Sequence, residues 1–174
     1  MPFQVLRLTP QDDRGAFCSG NVELDRFFTR YAGQNQFRHH LGTTYVAVDE
    51  LDLLAGFATV SAAEIAPEIA VLRKCSRLPK DPVPVLRLAR LATDQRVQGR
   101  GVGSLLLQAV LVLTRQMAIE FGCVAVLVDA KPEAVAFYEK LGFFHLESVA
   151  GELGSRPAPQ PMFLEIGQLM EKKK

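Results

Sequence analysis

Cysteine is scarce in this chain. Cys18, Cys75 and Cys123 are the whole complement. Widely spaced and odd in number, they form no metal-ligand spacing and no disulfide framework, and they fit a reducing cytosol. Net charge is nearly absent too: +1 over 174 residues gives no general attraction to nucleic acid, so any such binding must come from a local patch. The opening residues, Met1-Pro-Phe-Gln-Val-Leu-Arg-Leu8, lack a signal-peptide pattern, and no repeat or linker is visible. The apolar stretch 102–121 contains Gly103, Gln108, Arg115, Gln116 and Glu120, so it reads as a core helix and not a membrane span. What is present is 48% apolar residues, enough to argue against disorder and for one domain, 1–174, with a sizeable core.

The element order reads as α/β. Phe3 to Leu8 alternates and predicts a first strand. Asn21 to His40 carries Val22, Leu24, Phe27, Phe28, Tyr31 and Phe37, which predicts one or two amphipathic helices broken near Gly33. Thr43 to Val48 and Leu53 to Ser61 make a hairpin around Glu50-Leu51-Asp52, and Ala66 to Pro82 is a basic, proline-bearing loop or short helix over the site. Val83 to Thr93 is a strand, followed after a glycine-rich turn by about twenty residues of buried helix. Val124 to Asp129 is a continuous buried strand. A helix then opens with Pro132 in its first turn and stops at Gly142. Phe144 to Leu146 and Met162 to Ile166 pair as final strands across a flexible, proline-rich Gly151 to Pro161, and the Lys172-Lys173-Lys174 tail is solvated.

The turn Arg96-Val97-Gln98-Gly99-Arg100-Gly101-Val102-Gly103 carries the first chemistry. The leading backbone N–H groups of a helix have no internal partner, and the helix dipole favours negative charge there. Glycines at 99, 101 and 103 remove the Cβ atoms that would keep a pyrophosphate away. A P-loop needs Lys then Ser or Thr after its last glycine, whereas Gly103 is followed directly by Ser104; a dinucleotide fingerprint needs G-x-G-x-x-G, whereas these glycines fall at every second position. A plain tight turn before a helix remains the alternative for the loop taken alone.

Arg96-x-x-Gly99-x-Gly101 resembles the Q/R-x-x-G-x-G/A loop of the GNAT N-acetyltransferases, and Ala134-x-x-Phe137-Tyr138-Glu139-Lys140-Leu141-Gly142-Phe143 resembles their A-x-x-F-Y-x-K-x-G-F signature. The resemblance implies a mixed, mostly antiparallel sheet of six to seven strands, splayed between strands 4 and 5 and flanked by about four helices. It implies acetyl-CoA as cofactor, with the pantetheine arm inserted between the splayed strands against Leu91, Ala92 and Thr93. The loop Arg96, Val97, Gln98, Gly99, Arg100, Gly101, Val102, Gly103 and Ser104 would hold the pyrophosphate, with Lys131, Ala134, Phe137 and Tyr138 on the signature side. Arg100 reads equally as a surface arginine. Lys131 stands where many relatives have Asn, and it either meets a cofactor phosphate or faces solvent.

By the same resemblance Tyr138 is the candidate general acid for the departing thiolate, since a phenol with a pKa near ~10 keeps its proton at neutral pH. Its other reading is a core tyrosine with a structural hydroxyl partner. A general base is missing: Leu86-Arg-Leu-Ala-Arg-Leu-Ala-Thr93 has no carboxylate, Asp94 looks like a turn residue, and Glu64 is equally a surface residue. A lysine amine near ~10.4 would need deprotonation, while an α-amine near ~7.7–8.0 is already partly neutral. The gap leans toward an α-amino acceptor or a water relay.

Cys18 to Gln36, Gly42-Thr-Thr-Tyr-Val-Ala-Val48 and Pro84-Val-Leu-Arg-Leu-Ala-Arg-Leu-Ala-Thr-Asp94 resemble the TacT-like tRNA-acetylating toxins. That likeness implies a cytoplasmic homodimer acting on the α-amino group of an aminoacyl-tRNA and blocking translation. It also implies a ribbon-helix-helix antitoxin as partner, and no membrane. Arg73, Lys74 and Arg77, with Lys80 nearby, and Arg87 and Arg90 on the cofactor strand are the tRNA candidates; Arg26, Arg30, Arg38, His39 and His40 form another basic cluster. The histidines read as helix-end residues. Two alternatives stay open: an N-acetyltransferase of a small amine or protein N-terminus, and a non-catalytic acyl-CoA-binding module.

Overall fold

The computed structural model describes residues 2–65, 82–145 and 160–167. Seven strands form one mixed sheet: β1 Gln4–Arg7, β2 Thr43–Val48, β3 Leu54–Ile65, β4 Val83–Thr93, β5 Ala125–Ala130, β6 Phe144–His145 and β7 Gln160–Glu165. Their order is β1-β2-β3-β4-β5-β7-β6. The pairs β1/β2, β2/β3, β5/β7 and β6/β7 are antiparallel, and β5 runs parallel to β4. This is the mixed α/β class that the sequence predicts. The chain divides into two compact units, Met1–Ser61 with Leu88–Val112 and Ala62–Arg87 with Leu113–Lys174.

In the first unit, stacked phenylalanines make the core. Phe28 and Phe57 lie face to face at 4.3 Å with 2° between their planes, and Phe17 meets both edge-on at 4.8 and 5.5 Å. Leu8, Val46, Val48 and Ala92 close the cluster. The helix that supplies Phe27 and Phe28 begins at α1, Val22–Arg26, where the Asn21 side chain accepts from the Leu24 N–H and Glu23 and Asp25 occupy the first turn.

The predicted break near Gly33 does not occur. The helical path continues through two π-helical turns, Phe27–Tyr31 and Gln34–Arg38, and Gly33 itself is right-handed helical at φ −64°, ψ −47°. The glycine serves a close approach instead. A Cβ there would stand 2.9 Å from Arg14 Nη2, the guanidinium whose Nη1 donates to the Phe28 carbonyl at 3.0 Å. A wider π turn loosens the regular carbonyl ladder, and Arg14 takes up one carbonyl from outside. The helix ends at His40, φ +54°, with Leu41 N–H bonding back to the Asn35 carbonyl at 2.9 Å.

Gln36 ties this helix to the sheet. Its buried amide donates to the Leu8 carbonyl at 3.1 Å and accepts from the Thr44 N–H at 2.8 Å, satisfying two backbone groups where β1 has ended. The hairpin turn is held by Asp49, whose Oδ1 accepts from Leu51 N–H and Leu53 N–H, each at 2.9 Å, with Asp52 left-handed at φ +58°.

Helix α2, Val102–Glu120, is long and apolar enough to cross a membrane by length and composition. It is a one-sided core helix and not one buried all round. Val102, Leu106, Leu107, Val110, Thr114 and Met117 are buried, whereas Val112 and Ile119, with Phe121 just beyond, are exposed. A Cβ on Gly56 of β3 would stand 2.9 Å from Val102 Cγ1 and 3.0 Å from Leu106 Cδ1, so the helix start sits directly on the strand backbone.

In the second unit, Val83, Val85, Ala125 and Phe163 form a buried cluster, and Val124 N–H donates to the Pro84 carbonyl at 2.9 Å. Helix α3, Val135–Lys140, is preceded by a 3-10 turn at Pro132–Ala134. Its end is a Schellman motif: Phe143 N–H reaches the Tyr138 carbonyl at 3.1 Å and Gly142 N–H the Glu139 carbonyl at 3.0 Å, with Gly142 at φ +95°. The predicted loop over Ala66 to Pro82 and the connection Gly151 to Pro161 fall almost entirely outside the described residues.

Candidate active site

Asp94, at the end of β4, organises the glycine turn. Its side chain is 2% exposed and caps the 3-10 turn Gln95–Val97 by accepting from Arg96 N–H at 3.0 Å. The Arg96 guanidinium grips the same carboxylate with both prongs, Nε to Oδ1 at 2.8 Å and Nη2 to Oδ2 at 3.0 Å. Oδ2 also accepts from Cys18 N–H at 3.1 Å. Burial alone would raise this carboxyl, but the bonds from Arg96 and Cys18 outweigh it and hold it below its ordinary value. So Asp94 is the turn residue that the sequence suggests, and it is also a buried anion with four donors.

The Cys18–Gly20 segment is laced to the turn at further points. Gln95 N–H donates to the Cys18 carbonyl at 2.8 Å, and Gln98 Nε2 donates to the Ser19 carbonyl at 3.0 Å. Gly20, at φ +89°, leaves no room for a Cβ beside Gln95 Nε2. Sequence reasoning missed this link because its partners are 76 residues apart. The available signal was the local string Asp94-Gln-Arg96, an Asp positioned to cap the N–H two residues on.

Past the cap, Gly99 and Gly101 adopt φ +80° and +82°, and a Cβ on either would meet no atom within 4 Å. Their left-handed φ calls for glycine, and the open space beside them among the described residues fits a group from outside approaching the backbone. Leu105 N–H makes its bond to the Gly101 carbonyl at 3.0 Å, which leaves the N–H groups of Val102, Gly103 and Ser104 at the helix start without a carbonyl one turn earlier. The Arg100 guanidinium lies 5.3 Å from the Phe3 ring centroid. A pyrophosphate-bearing group suits this cradle.

Tyr138, in the other unit, is 5% exposed and packed edge-on between Phe137 at 5.2 Å and Phe143 at 5.3 Å. Burial pushes its phenol up to about 12. Ala134 and Phe137 are half-buried on the same helical segment, and Lys131 precedes it, half-buried, with no side-chain bond capping the turn.

The two arginines of β4 do different work. Arg87 pairs with Asp129 at 2.9 Å, both about half exposed, a pair worth at most about 1 kcal/mol. Arg90 lies over the Phe27 ring at 3.8 Å. Arg73, Lys74 and Arg77 lie outside the described residues. Leu91 and Thr93 are half-buried and Ala92 is buried. Among the described residues no His, Cys, Asp or Glu group is arranged to hold a metal.

Residues 40–144 match the acetyltransferase (GNAT) domain profile. The chain belongs to the GNAT acetyltransferase family. It is thereby an acetyl-CoA-dependent N-acetyltransferase. It is 37% identical over 139 residues to the tRNA-acetylating toxin of Mycobacterium tuberculosis (strain ATCC 25618 / H37Rv), covering 79% of this chain and 81% of that one. It is 25% identical over 166 residues to a probable toxin TacT of Sinorhizobium fredii (strain NBRC 101917 / NGR234), covering 90% and 87%. Among solved structures, AtaT complexed with acetyl-methionyl-tRNAfMet superposes with a TM-score of 0.83 at 21% identity, covering 99% of this chain and 100% of that one. A tyrosine-to-phenylalanine mutant of AtaT, bound to the antitoxin AtaR C-terminus and acetyl-CoA, gives 0.77 at 19% identity, covering 99% of each.

Proposed function

We propose that this GNAT enzyme is a toxin that transfers the acetyl group of acetyl-CoA to the α-amino group of an aminoacyl-tRNA. The observation that carries this reading is the 37% identity to a tRNA-acetylating toxin across 81% of that toxin's length. Bound acetyl-CoA supplies an acetyl thioester. Gly99, Gly101 and the N–H groups of Val102, Gly103 and Ser104 would hold the pyrophosphate, Arg100 would add charge, and Leu91, Ala92 and Thr93 would orient the pantetheine arm. Lys131, Ala134 and Phe137 line the signature side.

Tyr138 holds a proton at its Oη throughout the working pH range, since burial lifts the phenol to about 12, and it gives that proton or a strong hydrogen bond to the sulfur left behind. Burial that raises the phenol also disfavours a bare thiolate, so the raised phenol does not by itself oppose protonation of the sulfur. Because β4 carries no Asp or Glu, the site suits an acceptor that arrives neutral or loses its proton through a water relay. An α-amine near ~8 does so at neutral pH without a strong base, and a lysine amine does not.

The enzyme acts in the cytoplasm as a homodimer of single-domain protomers, is held in check by a ribbon-helix-helix antitoxin, and contacts tRNA phosphates through Arg87, Arg90 and the 73–80 segment. Incubation with labelled acetyl-CoA and charged or deacylated tRNA tests the reading: label is expected on the charged tRNA alone. Label on neither sinks it.

A further inference from the structure

We propose that Asp94 is a positioning residue for the donor loop, which shapes the pyrophosphate cradle by turning Arg96 away from the ligand and fastening Cys18–Gly20 beneath the turn; this rests on the reading of residues 99–104 as the acyl-donor site. The obvious role for an arginine beside an anion cradle is to grip the anion. Here the Nε–Nη2 edge of Arg96 is held by Asp94, at 2.8 and 3.0 Å, and the paired carboxylate offsets the guanidinium charge beside the cradle. Arg96 therefore acts through Asp94. The cradle's attraction for phosphate comes from backbone N–H groups, the helix dipole and Arg100.

A carboxylate suits position 94 and an amide does not. Four donors converge on it: Cys18 N–H, Arg96 N–H, and the Nε and Nη2 of Arg96. An amide nitrogen would present two hydrogens to at least one of those donors. Either the Gln95–Val97 turn would lose its cap, or Cys18–Gly20 would be left with the Gln95 and Gln98 bonds only. A Cβ at Gly99 or Gly101 would meet no atom within 4 Å, so no side-chain packing fixes their backbone direction, which is inherited from the cap behind them.

The test measures coenzyme A binding by calorimetry, and donor and acceptor kinetics, on the wild type, Asp94→Asn, Arg96→Ala, the double variant and Gly20→Ala. Asp94→Asn should weaken coenzyme A and raise the acetyl-CoA KM about ten- to a hundredfold. Saturating kcat and the acceptor KM should change less than about twofold, because no reacting atom is touched. S-acetylpantetheine, which has no pyrophosphate, should be used almost equally well by both proteins. Asp94→Asn should add little once Arg96 is Ala, since the two act as one unit. Gly20→Ala disturbs the same turn from the other side without altering Asp94, so it should show the same selective rise even if the Asp94 variant folds poorly. Additive effects of the two substitutions, or equal losses with acetyl-CoA and S-acetylpantetheine, would overturn the proposal by making Arg96 a direct phosphate ligand or Asp94 a general scaffold residue. A wild type that binds no coenzyme A defeats the donor-site reading, and this proposal with it.

Discussion

Phe143 holds Tyr138 twice: its N–H bonds the Tyr138 carbonyl at 3.1 Å, and its ring packs edge-on against the phenol ring at 5.3 Å. The signature's final Gly-Phe thus ends the helix and fixes the tyrosine in one motif. Gly142 supplies the left-handed residue, and Phe143 supplies the hydrophobic contact that accompanies such an ending.

Removing only the Tyr138 hydroxyl separates acid chemistry from packing. Tyr138→Phe should lower kcat by roughly 10²- to 10⁴-fold, with the fold and coenzyme A affinity unchanged. Steady-state kinetics and calorimetry on the same preparation check this. Unaltered turnover would return Tyr138 to a purely structural role.

Tyrosinate absorbance gives a second, activity-independent reading. The chain has three tyrosines, and Tyr138 is the one that burial lifts to about 12. A tyrosinate step should therefore appear near pH 12 on alkaline titration, and Tyr138→Phe should delete that step. The sign of the stability effect follows. A phenol whose folded pKa exceeds its unfolded value of ~10 favours folding fully below ~10, and that stability is lost as pH rises toward 12.

Phe57→Ala should destabilise the protein by about 3–5 kcal/mol. The side chain is fully buried against Phe17, Phe27 and Phe28, and neither the sheet nor the π-helical segment can collapse into the space. Urea unfolding followed by circular dichroism measures the loss. A change below about 1 kcal/mol would mean that the stack is dispensable.

His40→Gly should stabilise by up to about 1 kcal/mol. A non-glycine residue at φ +54° carries a left-handed cost of roughly 1–2 kcal/mol, partly returned because glycine loses more entropy on folding. The expected outcome is a small upward shift in melting temperature; a downward shift would assign His40 a side-chain contact that matters more than the strain.

Much was legible where the determinants are local. Val83–Thr93 appears as a strand with the bounds that its apolar run suggests. Pro132 opens the signature segment and Gly142 closes it, because φ preferences act within a few residues of their cause. Gly33 misled for the same reason. A glycine in a helix pattern reads as a breaker, but here its missing side chain admits Arg14, a residue remote in sequence. The buried face of α2 was legible from composition, and the exposure of Val112, Ile119 and Phe121 was not, since an apolar stretch does not say how many sides are covered.

By itself the sequence determined the cradle and the family: alternating glycines at 99, 101 and 103 and the Phe137-Tyr138 signature are spaced along the chain, so their chemistry can be counted off residue by residue. Only tertiary structure decided what stands behind the cradle. Asp94 and Cys18 are 76 residues apart, and whether Arg96 faces a ligand or a buried carboxylate depends on which groups the fold brings within 3 Å. Burial raises the cost of an unpaired charge, so in the folded chain Asp94 is committed to both Arg96 and Cys18, and the second is a link that no local pattern encodes.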